Sequence, residues 1–365
     1  MRRGKASKPI ASHPVAEERM TENKLILVKR RTRLEELVVR YNTVQQAQFY
    51  IERLGADFSD YLEEDRRYHH AVQQAQQQLS PLGRVQTIDR EHVPNFIFGA
   101  QDIVVVIGQD GLVANTLKYV TEQPLIGVNP DPMRWDGVLL PFTVEDLSFI
   151  IPDVIRKRRS LKEVTLAKVE LNDGQYLYGV NDLFIGRKTH VSARYEVRLG
   201  SSVEQQSSSG VIVSTGMGST GWFKSVLTGA AGVVGSEAWQ LIHGQSAWKQ
   251  GENHFNADAN IQRERQSETN RPAATSAQGD MNDLNQFSWN APFLYFTVRE
   301  PFPSRTTGAN LVFGQIHPKQ PLRIVSQMPE DGVIFSDGVE QDFLEFNSGV
   351  EATIGLAEKR GRLVV

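Results

Sequence analysis

The stretch VVVIGQDG (residues 104–111) decides how the first half of the chain reads. With the two residues before it, its apolar part runs DIVVVIG, rich in β-branched side chains and without polar alternation. A strand of that composition has both faces buried, as in a parallel sheet covered by helices. The run stops at Gly108, and Asp110 stands between Gln109 and Gly111. Glycine on each side of the Gln-Asp pair permits a sharp turn and a close approach of ligand to backbone. In an open α/β sheet, ligands bind beyond the carboxyl ends of the strands, and this is such an end. A carboxylate there can accept hydrogen bonds from a sugar diol, take a proton from a hydroxyl or hold Mg2+. Capping of the following helix by Asp110 fits the spacing equally well, so both readings stay open.

The flanks agree with a parallel sheet. KLILVK (24–29) reads as a short buried strand, and RTRLEELVVRYNTVQQAQFYIERLG as one helical pattern ending at Gly55. A Gln-rich helix is expected over about 60–80, followed by a strand at 83–87. It carries His69 and His70, which as neighbours on a helix point to different sides and make no metal pair. After the turn come a helix (LVANTLKYVTE), Pro124 and the strand PLIGVN, which completes a βαβ unit. The cluster Arg156-Lys157-Arg158-Arg159 reads as a solvated helix end, with a phosphate contact as the alternative.

From about residue 160 the texture changes to short alternating segments: EVTLAKVEL, a turn at Asn172-Asp173-Gly174, QYLYGVNDLFIG and ARYEVRLG. Strand signals resume at FLYFTVRE and continue through LRIVSQ, GVIFSDG and EATIGLA. Four regions follow: a disordered tail over 1–21, an α/β domain over 22–150, a β-rich domain over 160–344 and, within it, a polar loop at about 245–290. The tail's Glu17 and Glu18 argue against a transit peptide, and Met20 is an alternative start.

With 365 residues, 40% hydrophobic and 23% charged, the chain has an ordinary globular composition. A net charge of −3 gives no argument for nucleic acid or membrane, and no apolar run approaches a bilayer span. The absence of cysteine excludes disulfides, thiolate nucleophiles and thiolate metal sites, and fits a cytoplasmic location.

Two further polar stretches stand out. Gly216-Met217-Gly218-Ser219-Thr220-Gly221 spells a dinucleotide fingerprint, but it lies in the β-rich half. No strand ending in an acid follows it at the required distance either. Its hydroxyls, Ser214, Thr215, Ser219 and Thr220, suit polar oxygens on a ligand, although a plain tight turn fits the same spacing. Asn181-Asp182 interrupt an apolar run and must find partners, either in a turn of the sheet or on a ligand. Asp337-Gly338 reads as a hairpin turn with no further role.

Taken in order, VVVIGQDG, LIGVNPDPMRWDGVLLP, VNDLFIG with RYEVRLG, SSGVIVSTGMGSTGW, LYFTVREP and VIFSDGVEQDFLEFNSG resemble the NAD kinase family, in particular its mitochondrial-type branch and bacterial relatives. The resemblance implies a Rossmann- or flavodoxin-like α/β domain, to which the C-terminal segment from about 345 to 365 returns. It also implies a β-sandwich-like C-terminal domain, a cleft between the two domains for both substrates, and a homodimer or homotetramer. The implied reaction uses ATP and Mg2+ to phosphorylate the 2′-hydroxyl of NAD's adenosine ribose, giving NADP. Asp110 is the implied ribose ligand and proton acceptor, and Asn181-Asp182 stand for the family's Asn-Glu pair that holds adenine and the second ribose. NAD contacts are further implied for Gly111, Asn129, Gly218, Ser219, Thr220, Gly221, Trp222 and Ser225, and donor-phosphate contacts for Gly108, Gln109 and Gly111. No metal ligand is assigned beyond Mg2+ arriving with ATP.

The chain departs from the family's Gly-Gly-Asp-Gly-Thr pattern at Gln109 and Leu112, and Trp222 replaces a common Tyr. If the second glycine supplies a positive φ, Gln109 is strained there, and Gln109→Gly should then raise phosphoryl transfer. Three activities therefore remain open: an active NAD kinase, a weakened relative that binds NAD or NADP, and a kinase for another hydroxyl acceptor such as a lipid or sugar.

Overall fold

The structure, a computed structural model, describes residues 24–234 and 287–365, the side chains of residues 340 and 341 excepted. The expected N-terminal tail and nearly all of the polar loop lie outside the described residues. The chain divides into two compact units, one running to Leu161 and including Arg362–Val365, the other spanning Lys162–Gly361.

In the first unit β1 (Lys24–Lys29) leads into α1 (Arg33–Tyr41), α2 (Val44–Arg53) and α3 (Ser59–Leu79). The single helical pattern expected to reach Gly55 is two helices. Asn42 turns the chain at φ 67°, and the Thr43 hydroxyl accepts from the Gln46 amide to start α2. Thr32 and Glu35 close a reciprocal capping box at the start of α1. After β2 (Arg84–Asp89), β3 (Ile103–Ile107) has all five residues buried, as its unbroken apolar run requires. Next come α4 (Asp110–Leu117), β4 (Leu125–Val128) and α5 (Leu147–Ile155).

The four strands are parallel in the order β2-β1-β3-β4, and Leu363 pairs with Leu125 beside β4. Because β2 and β3 flank β1 on opposite sides, the strand order reverses at β1/β3 and opens a crevice at their carboxyl ends. Tyr68, Ala71, Ala75 and Leu79 of α3 pack with Leu25, Leu27, Val105 and Ile107 to form one face of this core. Of the closing segment expected to return from about residue 345, Arg362–Val365 group with this unit and the residues before them with the second.

The second unit is antiparallel. It contains β5 (Leu161–Leu171), β6 (Tyr176–Gly179), β7 (Asp182–Arg187), β8 (Ala193–Leu199), β9 (Ser202–Ser208) and β10 (Val211–Ser214). Then come α6 (Trp222–Val234), β11 (Leu294–Val298), β12 (Phe313–Ile316), β13 (Leu322–Ser326), β14 (Gly332–Ser336), β15 (Val339–Glu345) and β16 (Glu351–Val364), whose last residues group with the first unit. One sheet has the order β12-β11-β10-β7-β14-β15, and β8 and β13 belong to the other. Leu183, Ile185, Val213, Phe296 and Ile334 from the first interleave with Tyr195, Val197, Leu322 and Ile324 from the second. That is the core of a sandwich. Among the described residues no helix is long and apolar enough to cross a membrane.

Candidate active site

In the first unit the chain leaves β3 at Gly108, where a side chain would crowd Leu112. A Cβ on Gly108 would stand 3.0 Å from Leu112 Cδ2 and 3.7 Å from Arg30 Cδ. Leu112 is thus packing against the turn rather than offering a polar group to it. Gln109 has φ −124° and ψ 162°, ordinary extended backbone, and forms the N-cap of α4. Its carbonyl accepts from the amide of Leu112 at 2.9 Å. The expected positive φ is therefore absent, and with it the strain that would have made Gln109 a defect. Gln109→Gly is expected to leave turnover within about threefold and to cost up to about 1 kcal/mol of stability through the freer unfolded chain. Initial rates and a urea titration check this.

Asp110 is the first residue of α4, not its cap. Its carboxylate accepts from the backbone amide of Leu139 at 2.8 Å and from that of Val138 at 3.3 Å. Nothing lies within 4 Å of where a Cβ on Gly111 would be, so the backbone beside Asp110 is open to a ligand.

Tyr68 ties the two strand ends of the crevice together. Its hydroxyl accepts from the Arg30 amide at 2.9 Å and donates to the Ile107 carbonyl at 2.9 Å. Burial pushes this phenol up to about 12, so it remains a donor throughout the neutral range. Tyr68→Phe leaves both backbone groups without this partner and is expected to cost about 1–3 kcal/mol in a denaturant titration.

The loop after β4 is tied down on several sides. The Asn129 side chain donates to the Trp135 carbonyl at 2.8 Å and accepts from the Asp131 amide at 3.1 Å. Asn129 is 5% exposed, and both ends of its side-chain amide are bonded within its own loop. Arg134 pairs with Asp60 at the start of α3, and Arg67 lies 3.3 Å from Asp131. The guanidinium of Arg134, with that of Arg33, holds the Asp60 carboxyl well below its ordinary range.

In the second unit, Asn181 and Asp182 form the corner between β6 and β7. The Asp337 carboxylate accepts from three successive backbone amides there, Val180 at 3.0 Å, Asn181 at 2.6 Å and Asp182 at 3.3 Å. Asp337 turns its hairpin at φ 54°, but the expectation that it has no further role is corrected. It shapes the backbone from which the Asn-Asp pair projects. Asp182 is buried, while the Asn181 side chain is partly exposed.

The glycine-rich loop runs from β10 into α6. β10 pairs antiparallel with β7 and β11, so this copy of the fingerprint lies outside any βαβ unit. Thr215 donates to the Val180 carbonyl, Ser214 to that of Thr215 and Ser219 to that of Gly216. Ser214 and Ser219 thus serve the loop itself, Thr215 ties it to the β6–β7 corner, and of the four only Thr220 is exposed. Gly218 rests on the Asn181 corner, where a Cβ would come within 2.0 Å of the Asn181 carbonyl oxygen. The Trp222 ring stacks on Phe184 at 5.5 Å, with Arg299 5.4 Å from its centroid. The exposed Ser225 donates to the Gly221 carbonyl at 3.3 Å.

Among the described residues, ligand atoms of Glu35, Asp65 and His69 lie within 4.8 Å of one another. Glu35 also closes the α1 capping box and Asp65 accepts from the Thr32 hydroxyl, so both carboxylates serve the helix start. His70 is not part of this group.

No protein-family model matches the chain. A curated NAD kinase from Acinetobacter baylyi is 28% identical over 163 residues, 42% of this chain and 50% of that protein. The match thus spans half the length of that relative. The crystal structure of an NAD kinase from Archaeoglobus fulgidus in complex with ATP aligns with a TM-score of 0.50 at 14% identity, over 94% of this chain and 93% of that one. The crystal structure of yeast NADH kinase complexed with NADH aligns with a TM-score of 0.52 at 13% identity, over 94% and 84%. The solved structures share the fold, and the resemblance to the NAD kinase family read from the motifs is borne out.

Proposed function

We propose that this chain, which has the fold of the NAD kinases and resembles that family motif by motif, transfers the terminal phosphoryl group of ATP to the 2′-hydroxyl of NAD's adenosine ribose. The observation that carries the proposal is Asp110. It is a carboxylate at the carboxyl end of a fully buried parallel strand, at the β1/β3 reversal, oriented by two backbone amides and bordered by the open face of Gly111.

In the proposed step Asp110 accepts the hydroxyl proton as the ribose oxygen attacks phosphorus, and ADP leaves. Each carboxylate oxygen can accept more than one hydrogen bond, so the two amides leave room for the hydroxyl. The turn supplies a single carboxylate, too few for a dedicated cation cage, which fits Mg2+ arriving on the donor's phosphates. There the ion would offset the charge of the transferring group. Asn181 and Asp182 would hold adenine and the second ribose, and Gly218, Thr220 and Trp222 would line the NAD site. Gly108, Gln109 and Gly111 remain the proposed donor side, and a homodimer or homotetramer belongs to the same proposal.

NAD binding tests the reading independently of turnover. NAD at about 100 times its dissociation constant should add about 2.7 kcal/mol of stability and raise the melting temperature. No shift with NAD, NADH or NADP would contradict the proposal.

A further inference from the structure

We infer that Asn129 is a positioning residue for Asp110, folding the loop of residues 129–139 so that the Val138 and Leu139 amides hold the carboxylate. The inference rests on the proposed function, in which Asp110 takes the proton. Four observations carry it. Both ends of the Asn129 amide are bonded inside the loop, to the Trp135 carbonyl and the Asp131 amide. Gly137 lies at φ +61° directly against it, and a Cβ there would come within 2.7 Å of Asn129 Nδ2. Leu139 is brought close to β4 because Gly127 has no side chain, for a Cβ there would meet the Leu139 carbonyl oxygen at 1.9 Å. The far side of the loop is held to α3 through Arg134–Asp60 and Arg67–Asp131.

The consequence is mechanical. A carboxylate that accepts two amides from a fixed loop, one on each oxygen, has one orientation, and the directions of its remaining lone pairs are fixed with it. Loosening the loop leaves the chemistry of Asp110 in place but removes its aim. A substrate contact made by Asn129 itself would instead appear in binding.

The test combines backbone hydrogen exchange at residues 138 and 139 with steady-state kinetics, on the wild type, Asn129→Ala and Arg134→Gln. In Asn129→Ala both amides should exchange at least about tenfold faster while those of β3 keep their protection. The same variant should lose about tenfold in kcat with KM for NAD within about twofold. Arg134→Gln, a change near the surface, should move exchange and kcat in the same direction by a smaller factor, and it serves if Asn129→Ala fails to fold. Unchanged exchange at 138 and 139, or a raised KM with kcat intact, would overturn the inference. Exchange alone decides whether Asn129 holds the amides, so an inactive wild type overturns the kinase reading without deciding against the loop.

Discussion

Asp110→Asn is expected to lower turnover by roughly 10²–10⁴ while the protein still folds and binds NAD, the usual worth of a positioned general base. The substitution is close to isosteric. The Asn carbonyl oxygen can still accept from the Leu139 amide, now at 2.8 Å from the carboxylate, and the weaker 3.3 Å contact from Val138 is the one surrendered. What disappears is the capacity to take a proton. Initial rates with saturating NAD and ATP, alongside NAD-dependent melting, separate the two. Turnover within about threefold of the wild type would remove Asp110 from the mechanism.

The second large effect is expected at Gly218. A methyl group there would stand 2.0 Å from the Asn181 carbonyl oxygen and 2.5 Å from its carbonyl carbon, both backbone atoms that no rotamer change can move. Either the glycine-rich loop lifts or the Asn181-Asp182 corner shifts. The corner is restrained by the three amides on Asp337 and by Thr215 below it. Gly218→Ala is therefore expected to cost about 1–3 kcal/mol or more, the range for forcing volume into packed structure. It should also weaken NAD binding at least about tenfold, because both groups assigned to the nucleotide move. Gly229→Ala is the control. It lies in α6 with open space around its Cβ and is expected to be neutral or up to about 1 kcal/mol stabilising. Calorimetric titration with NAD and thermal unfolding measure both variants. Wild-type affinity in Gly218→Ala would separate this loop from NAD binding.

Those two positions also mark what could be read without coordinates. The unbroken β-branched run of β3 announced a doubly buried strand, and the carboxylate at its end followed from the rule for open sheets. The antiparallel half was equally legible from its alternation. Some local signals were present but outweighed by the hydrophobic pattern. Asn42, a residue tolerant of positive φ, and Thr43, a good N-cap, split the first long helix in two. The structural work of Asp337 had no local signal, because its partners lie about 155 residues earlier in the chain. The same holds for Asn129, which fits a ligand-binding amide equally well until its loop is seen folded around it. Gln109 shows the opposite case. The motif's second glycine suggested a strained backbone, yet the N-cap of α4 needs only extended angles that any residue adopts.

The most direct measurement is NADP formation by the purified protein supplied with NAD, ATP and Mg2+, read through an NADP-specific dehydrogenase. Sustained turnover that depends on all three is the expected result. No NADP under those conditions, from protein that melts cooperatively and is stabilised by NAD, would contradict the proposed activity and leave a nucleotide-binding relative in its place.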